Sequence, residues 1–238
     1  LRVFPQAALL KANILEKLGN KSEAILFLSK TIKKISENKI FLASDYVPRI
    51  LYKQGSLLES VGKLIKAFNV YKRIYIRYPL SEEAALAFDR MDTIRKLSEV
   101  SIKDIQNSGR MMRLKVLSSK AEFEQVVNEI EANRKKLNSM TSYIYLANAY
   151  RKQGKRDHAA KIFQEIFKKF PNQSNVQKIL FESARNLWNL DQNAKAMDIF
   201  RKAIRLNLNN SLGMRSRYFL GKVFESDGKI IEAVNEYQ

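Results

Sequence analysis

Seven side chains in the second half of the chain have the chemistry to hold an anion: Asn148, Lys152, Lys178, Arg185, Arg215, Tyr218 and Lys222. Lysine and arginine supply charged donors, asparagine and tyrosine neutral ones, and such a set suits a carboxylate or another anion. Covalent chemistry has no comparable set. His158 is the only histidine and there is no cysteine, which leaves no zinc site of the usual kind. It stands in Arg156-Asp157-His158, where an exposed helix start offers a Ser–His–Asp triad no cleft. Gly55 and Gly62, like Gly221 and Gly228, are seven apart and do not make a phosphate loop. No catalytic residue, metal or cofactor is implied.

The elements that must carry these residues follow from an internal repeat. Gly19, Gly62, Gly154, Asp191 and Gly228 are each followed five positions later by alanine (Ala24, Ala67, Ala159, Ala196, Ala233). Four positions further on stands a large apolar residue: Leu28, Tyr71, Phe163, Phe200 or Tyr237. Seven positions before each turn residue the side chain is small (Ala12, Gly55, Ala147, Ala184, Gly221), and four before it is large (Leu15, Leu58, Tyr150, Leu187, Phe224). Residues three and four apart share a helix face, so each small residue makes a notch beside a knob. A second, antiparallel helix then approaches closely. Each unit is predicted to be a helix, a turn at Gly or Asp, and a helix. Pro79 and Pro171 lie seventeen residues after Gly62 and Gly154, where the second helix should stop.

These positions resemble the tetratricopeptide repeat, most fully over Tyr143, Leu146, Ala147, Tyr150, Gly154, Ala159, Phe163 and Pro171. The resemblance implies an all-α, right-handed α-solenoid of antiparallel hairpins. Its concave face, lined by the first helix of each pair, would present the seven residues named above. Tetratricopeptide domains that clamp peptide C-termini use lysine and asparagine at set places. Ile144, Phe181 and Tyr218 stand where the first lysine would be, so that clamp is not expected here.

The middle is irregular. Residues 1–80 read as N-terminal hairpins, 81–139 as a degenerate helical stretch, and 140–238 as three repeats in one continuous array. Ser81 is predicted to cap a helix through Leu97, with Glu82 and Glu83 in its first turn. Gln106-Asn107-Ser108-Gly109 reads as a polar break, followed by a degenerate pair with Leu114, Leu117, Val126 and Ile130 around Ala121. The first repeat is loose, with a gap from Ser36 to Tyr46.

Lys and Arg number 43 against 24 Asp and Glu, a net charge of +19. Such a surface draws anionic partners: an acidic protein or peptide, an anionic glycan such as peptidoglycan, or nucleic acid. No stretch reaches eighteen uncharged apolar residues, so no transmembrane segment is expected. The chain opens on Leu1 and stops at Gln238 in the last hairpin, and it reads as a fragment of a longer protein.

Two stretches resemble a narrower family. Gly62, Ala67, Tyr71, Ile74, Pro79, Ser81, Ala84 and Ala87 form one, and Arg215 through Gln238 the other, with Gly109-Arg110-Met111-Met112-Arg113-Leu114 between them. This order is similar to the N-terminal superhelix of bacterial soluble lytic transglycosylases, which cleave peptidoglycan in the periplasm with a glutamate of a separate domain. Tyr78-Pro79-Leu80-Ser81 also resembles periplasmic repeat lipoproteins. Glu59-Ser60, Glu182-Ser183 and Glu225-Ser226 echo the family's Glu-Ser pair but lie on hairpin helices, and none is expected to be catalytic. Three functions stand at this point. One is a noncatalytic scaffold of such a cell-envelope enzyme. Another is a protein–protein adaptor in a cell-envelope or secretion assembly, with the cytoplasm as the alternative location. The third is an RNA-binding repeat.

Overall fold

The computed structural model describes residues 5–37, 45–97, 105–170 and 176–238, and every regular element among them is an α-helix. The helices are α1 (Pro5–Lys17), α2 (Lys21–Glu37), α3 (Tyr46–Ser60), α4 (Leu64–Arg77), α5 (Glu82–Leu97), α6 (Asn107–Ser119), α7 (Phe123–Ala132), α8 (Met140–Lys152), α9 (Arg156–Lys169), α10 (Val176–Trp188), α11 (Asn193–Leu206), α12 (Ser211–Ser226) and α13 (Ile230–Tyr237). Pro171, expected to end α9, and most of the gap between α2 and α3 lie outside the described residues.

The chain forms two compact units, Leu1–Leu117 and Ser118–Gln238. In the first, α1 pairs with α2 and α3 with α4, and α5 packs on both α4 and α3. Its core is built from the repeat positions Ala12, Leu15, Ala24, Leu28, Leu58, Ala67 and Tyr71, joined by Phe68, Met91 and Ile94. In the second, α8 pairs with α9, α10 with α11 and α12 with α13. Phe181, Phe200, Leu220 and Val223 are buried at the centre of its C-terminal part.

The notch-and-knob reading holds at atomic distance. A methyl group added at Gly55 would sit 2.5 Å from the Tyr71 ring, and one at Gly221 would sit 2.5 Å from the Tyr237 ring. At Gly55 the Tyr71 ring that fills this space is 1% exposed, so a residue without a Cβ lets that hairpin close.

The turns share one conformation. Gly62 has φ of 74° and Gly154 76°, and the amide that follows reaches back to the carbonyl five residues earlier, Lys63 to Leu58 and Lys155 to Tyr150, each at 2.9 Å. This is the helix-ending motif that suits glycine. Asp191 adopts it at φ 55°, with the Gln192 amide bonded to the Leu187 carbonyl at 3.0 Å, and Ala121 shares the left-handed conformation at φ 61°. Ala121 is therefore the turn of the degenerate pair, with Leu114, Leu117, Val126 and Ile130 all fully buried around it. An L side chain pays about 1–2 kcal/mol in this region. Ala121→Gly is expected to stabilise the protein by about 1 kcal/mol, and Asp191→Gly by less. The measurement is the urea midpoint of each variant, and a fall for Ala121→Gly would contradict the assignment.

Two local expectations are corrected. Asn107, Ser108 and Gly109 are not a break but the first turn of α6, with the Gly109 and Arg110 amides bonded to the Gln106 carbonyl. Ser81 does precede α5, but its hydroxyl has no hydrogen-bond partner among the described residues, so it is not a side-chain cap.

Candidate binding groove

The first helices of three hairpins, α8, α10 and α12, carry all seven anion-binding candidates. Ser139 starts α8 with a reciprocal capping box to Ser142. Asn210 starts α12 by accepting the Gly213 amide at 2.8 Å.

The structure sorts the seven into three places. Asn148, Lys152 and Lys178 line a pocket of about 610 Å³ formed by α8 and α10, together with Ile144, Tyr145, Phe163 and Ile179. Lys152 and Lys178 are exposed there. Asn148 is already engaged, accepting a bond of 3.2 Å from Arg151, which also pairs with Glu182 at 3.1 Å.

Arg185 and Arg215 meet over one aromatic cluster. Their guanidinium carbons lie 5.7 and 4.7 Å from the centre of the buried Phe181 ring, and Arg185 is also 5.0 Å from Phe219. The ring faces attract both cations. Neither arginine has a carboxylate partner among the described residues, so both positive charges rest on the rings without a counter-charge.

Tyr218 and Lys222 lie at the far end. Tyr218 is exposed and stacks near Tyr237 at 5.9 Å. Lys222 pairs with Glu225 at 2.8 Å. That hydrogen bond raises the ammonium above its usual range and lowers the Glu225 carboxyl below its own. Lys222 is thus less available than its position suggests.

A rule spaced on the turn explains where the pocket opens. The residue three before a turn meets the residue 28 after it, on the first helix of the next pair or on α5. Glu59 takes Arg90 in this way, with the Tyr71 hydroxyl donating to the same carboxylate at 3.1 Å. Arg151 takes Glu182 with the polarity reversed. Trp188 takes Phe219, ring centres 5.9 Å apart. Glu16 with Lys53 at 2.5 Å is the same link across a longer connection. At the Ala121 turn the two positions hold Ser118 and Ala149, too short to bridge, and both line the 610 Å³ pocket.

Sequence reasoning missed Arg151, Glu182 and Trp188 beside the groove, and placed Phe181 on its face without a role. The spacing rule was the signal available for Arg151 and Glu182. The three Glu-Ser pairs each tie their glutamate to a cation: Glu59 to Arg90, Glu182 to Arg151, and Glu225 to Lys222. At Glu225 the hydrogen bond from Lys222 lowers the carboxyl below its usual range and favours the charged form, the wrong state for a general acid.

Tetratricopeptide-repeat profiles match residues 141–172 and 177–210, which are α8 with α9 and α10 with α11. Both segments are tetratricopeptide repeats. Solved structures are similar to the chain at low identity. YrrB, "a TPR protein with an unusual peptide-binding site", is 15% identical over 86% of this chain and 87% of its own, with a TM-score of 0.50. The TPR2AB domain of yeast Sti1 in its pHSP90 complex is 15% identical over 98% and 86%, with a TM-score of 0.42. MamA from Desulfovibrio magneticus RS-1 is 15% identical over 87% and 97%, with a TM-score of 0.41. No curated protein matches the chain. Among the described residues no helix is long and apolar enough to cross a membrane.

Proposed function

We propose that this helical-repeat scaffold binds an acidic protein segment along α8, α10 and α12. The observation that carries the reading is the set Lys152, Lys178, Arg185 and Arg215. None has a carboxylate partner among the described residues; Lys152 and Lys178 line a pocket with apolar and aromatic walls, and Arg185 and Arg215 lie over the Phe181 ring of α10. Unpaired cations beside apolar walls suit a peptide that brings carboxylates and one or two large side chains. The peptide site of the structurally similar YrrB supports a peptide as the ligand class.

The test is fluorescence anisotropy with a labelled peptide of alternating glutamate and leucine. Binding to the wild-type chain should weaken with salt. The Lys178→Glu/Arg185→Glu double variant should bind about 10- to 30-fold more weakly, the loss of one charge-assisted contact or two. Equal binding by both proteins would remove the proposal.

The finer reading is a scaffold serving a peptidoglycan-cleaving enzyme of the periplasm or cell envelope. It rests on the resemblance over Gly62–Ala87 and Arg215–Gln238. Pelleting with purified peptidoglycan sacculi tests it: co-sedimentation lost in the double variant would support it, and a chain left in the supernatant would end it.

A further inference from the structure

Where the Gly62, Gly154 and Asp191 turns carry a bridge to the next first helix, the Ala121 turn carries a gap. Glu59 meets Arg90, Arg151 meets Glu182 and Trp188 meets Phe219. Ser118 and Ala149 hold the same two positions about Ala121, and the space they leave is part of the pocket of about 610 Å³. That volume lies in the range of ligand pockets, roughly 300–1,000 Å³. Ala149, Phe163 and Ile179 are buried in its walls, and Lys152 and Lys178 are the exposed cations of its lining.

The rings around this gap are unlike the others of the second unit. Tyr143 pairs with Phe170, Phe181 with Phe200 and Phe219, and Tyr218 with Tyr237. Phe123, Tyr145 and Phe163 all line the pocket, and none of them meets another ring among the described residues. Aromatic pairs add to stability beyond the area they bury, through offset-stacked and edge-to-face contacts. Three rings therefore face one space with that contact unmade.

We infer that the pocket is an aromatic-selective subsite, which takes one aromatic side chain of the acidic segment and is held open by the small side chains of Ser118 and Ala149. The inference rests on the acidic-segment reading and adds the residue that segment must carry. The ligand's ring supplies the contact that Trp188 and Phe219 make for themselves at the Asp191 turn. Lys152 and Lys178 have no carboxylate partner among the described residues, so they attract both the ring face and the carboxylates beside it. Leucine also buries apolar area, but it gives the cations no π face and the three rings no aromatic partner. Ser118 and Ala149 are thus specificity-determining through their size alone.

The probes are three fluorescein-labelled peptides in which glutamates flank one central residue: phenylalanine, leucine or alanine. Each is titrated with the 238-residue protein and followed by anisotropy. The phenylalanine peptide should bind about tenfold more tightly than the alanine peptide and about threefold more tightly than the leucine peptide. Ser118→Trp copies the residue that stands at the equivalent place before the Asp191 turn and fills the pocket. In that variant the phenylalanine and alanine peptides should bind alike. Ser118→Met, a smaller filling at this half-buried position, should narrow the preference and serves if circular dichroism shows Ser118→Trp misfolded. Equal binding of the three peptides by the wild type, or a preference that survives in the folded filled variant, overturns the inference. The Lys178→Glu/Arg185→Glu variant tells this failure from that of the wider reading. If it loses the alanine peptide while the wild type shows no aromatic preference, the acidic-segment reading stands and the aromatic subsite falls. If the wild type binds none of the three, both fall.

Discussion

Phe200→Ala is expected to lower the stability of the second unit by about 3–5 kcal/mol, the range for removing a buried phenylalanine. Phe200 is fully buried, nine residues after the Asp191 turn. Its ring stacks on Phe219 at 6.1 Å and meets Phe181 edge-on at 6.1 Å. Those two rings carry Arg185 and Arg215 on their faces. The cavity therefore opens directly beneath the groove, among aromatic side chains that hold one another in place and have little freedom to fill it. Urea unfolding followed at Trp188, the only tryptophan and a neighbour of Phe219, reports on this cluster. The midpoint should fall well below wild type, and acidic-peptide binding should fall with it. Leu206→Ala, at a residue more than half exposed, is the control and should change stability by no more than about 0.5 kcal/mol. Equal effects from the two substitutions would mean that the aromatic cluster does not organise this unit.

The repeat was legible because its signal is steric and local. A small residue seven before the turn and an alanine five after it let two helices approach closely, and they recur in register at five turns from Ala12 to Ala233. The Ala121 pair was harder to read because leucine and valine replace the small residues, yet the large apolar positions kept its turn in place. Gly109 misled for a physical reason. Glycine beside asparagine and serine reads as a break, but here it gives Ile76 room: a Cβ would come within 2.8 Å of that side chain. The groove was half legible. The face that holds Lys178 and Arg215 follows from helical spacing. The pairing of Arg151 with Glu182 does not follow from helical spacing; it follows only from the spacing on the turn, because the partners lie 31 residues apart on different hairpins. The pocket was least legible, since it arises from two short side chains, Ser118 and Ala149, at a position where other repeats place a bridging pair.

Gly213→Ala is expected to destabilise the chain by about 2 kcal/mol net, although alanine is the better helix former. The added methyl would lie 2.0 Å from the Asn207 carbonyl oxygen and 2.7 Å from that of Leu208, both backbone atoms. Overpacking of this kind costs about 3 kcal/mol where the neighbour cannot move, against roughly 1 kcal/mol gained in helix propensity. Here the neighbour is held from the other side. The Gln177 amide donates to the Asn207 carbonyl at 2.7 Å and to the Ala203 carbonyl at 2.9 Å, and its own oxygen accepts from Asn210 at 2.7 Å. Asn210 in turn caps α12 at the Gly213 amide. Moving the turn to admit the methyl would break bonds around a buried glutamine, leaving polar groups unpaired. Gly221→Ala makes the opposite case with a similar clash, 2.5 Å to Tyr237. That ring is nearly half exposed and free to swing, so the substitution should be close to neutral. Paired urea titrations separate the two. A Gly213→Ala midpoint at or above that of Gly221→Ala would show that the 207–210 turn yields despite the Gln177 clamp.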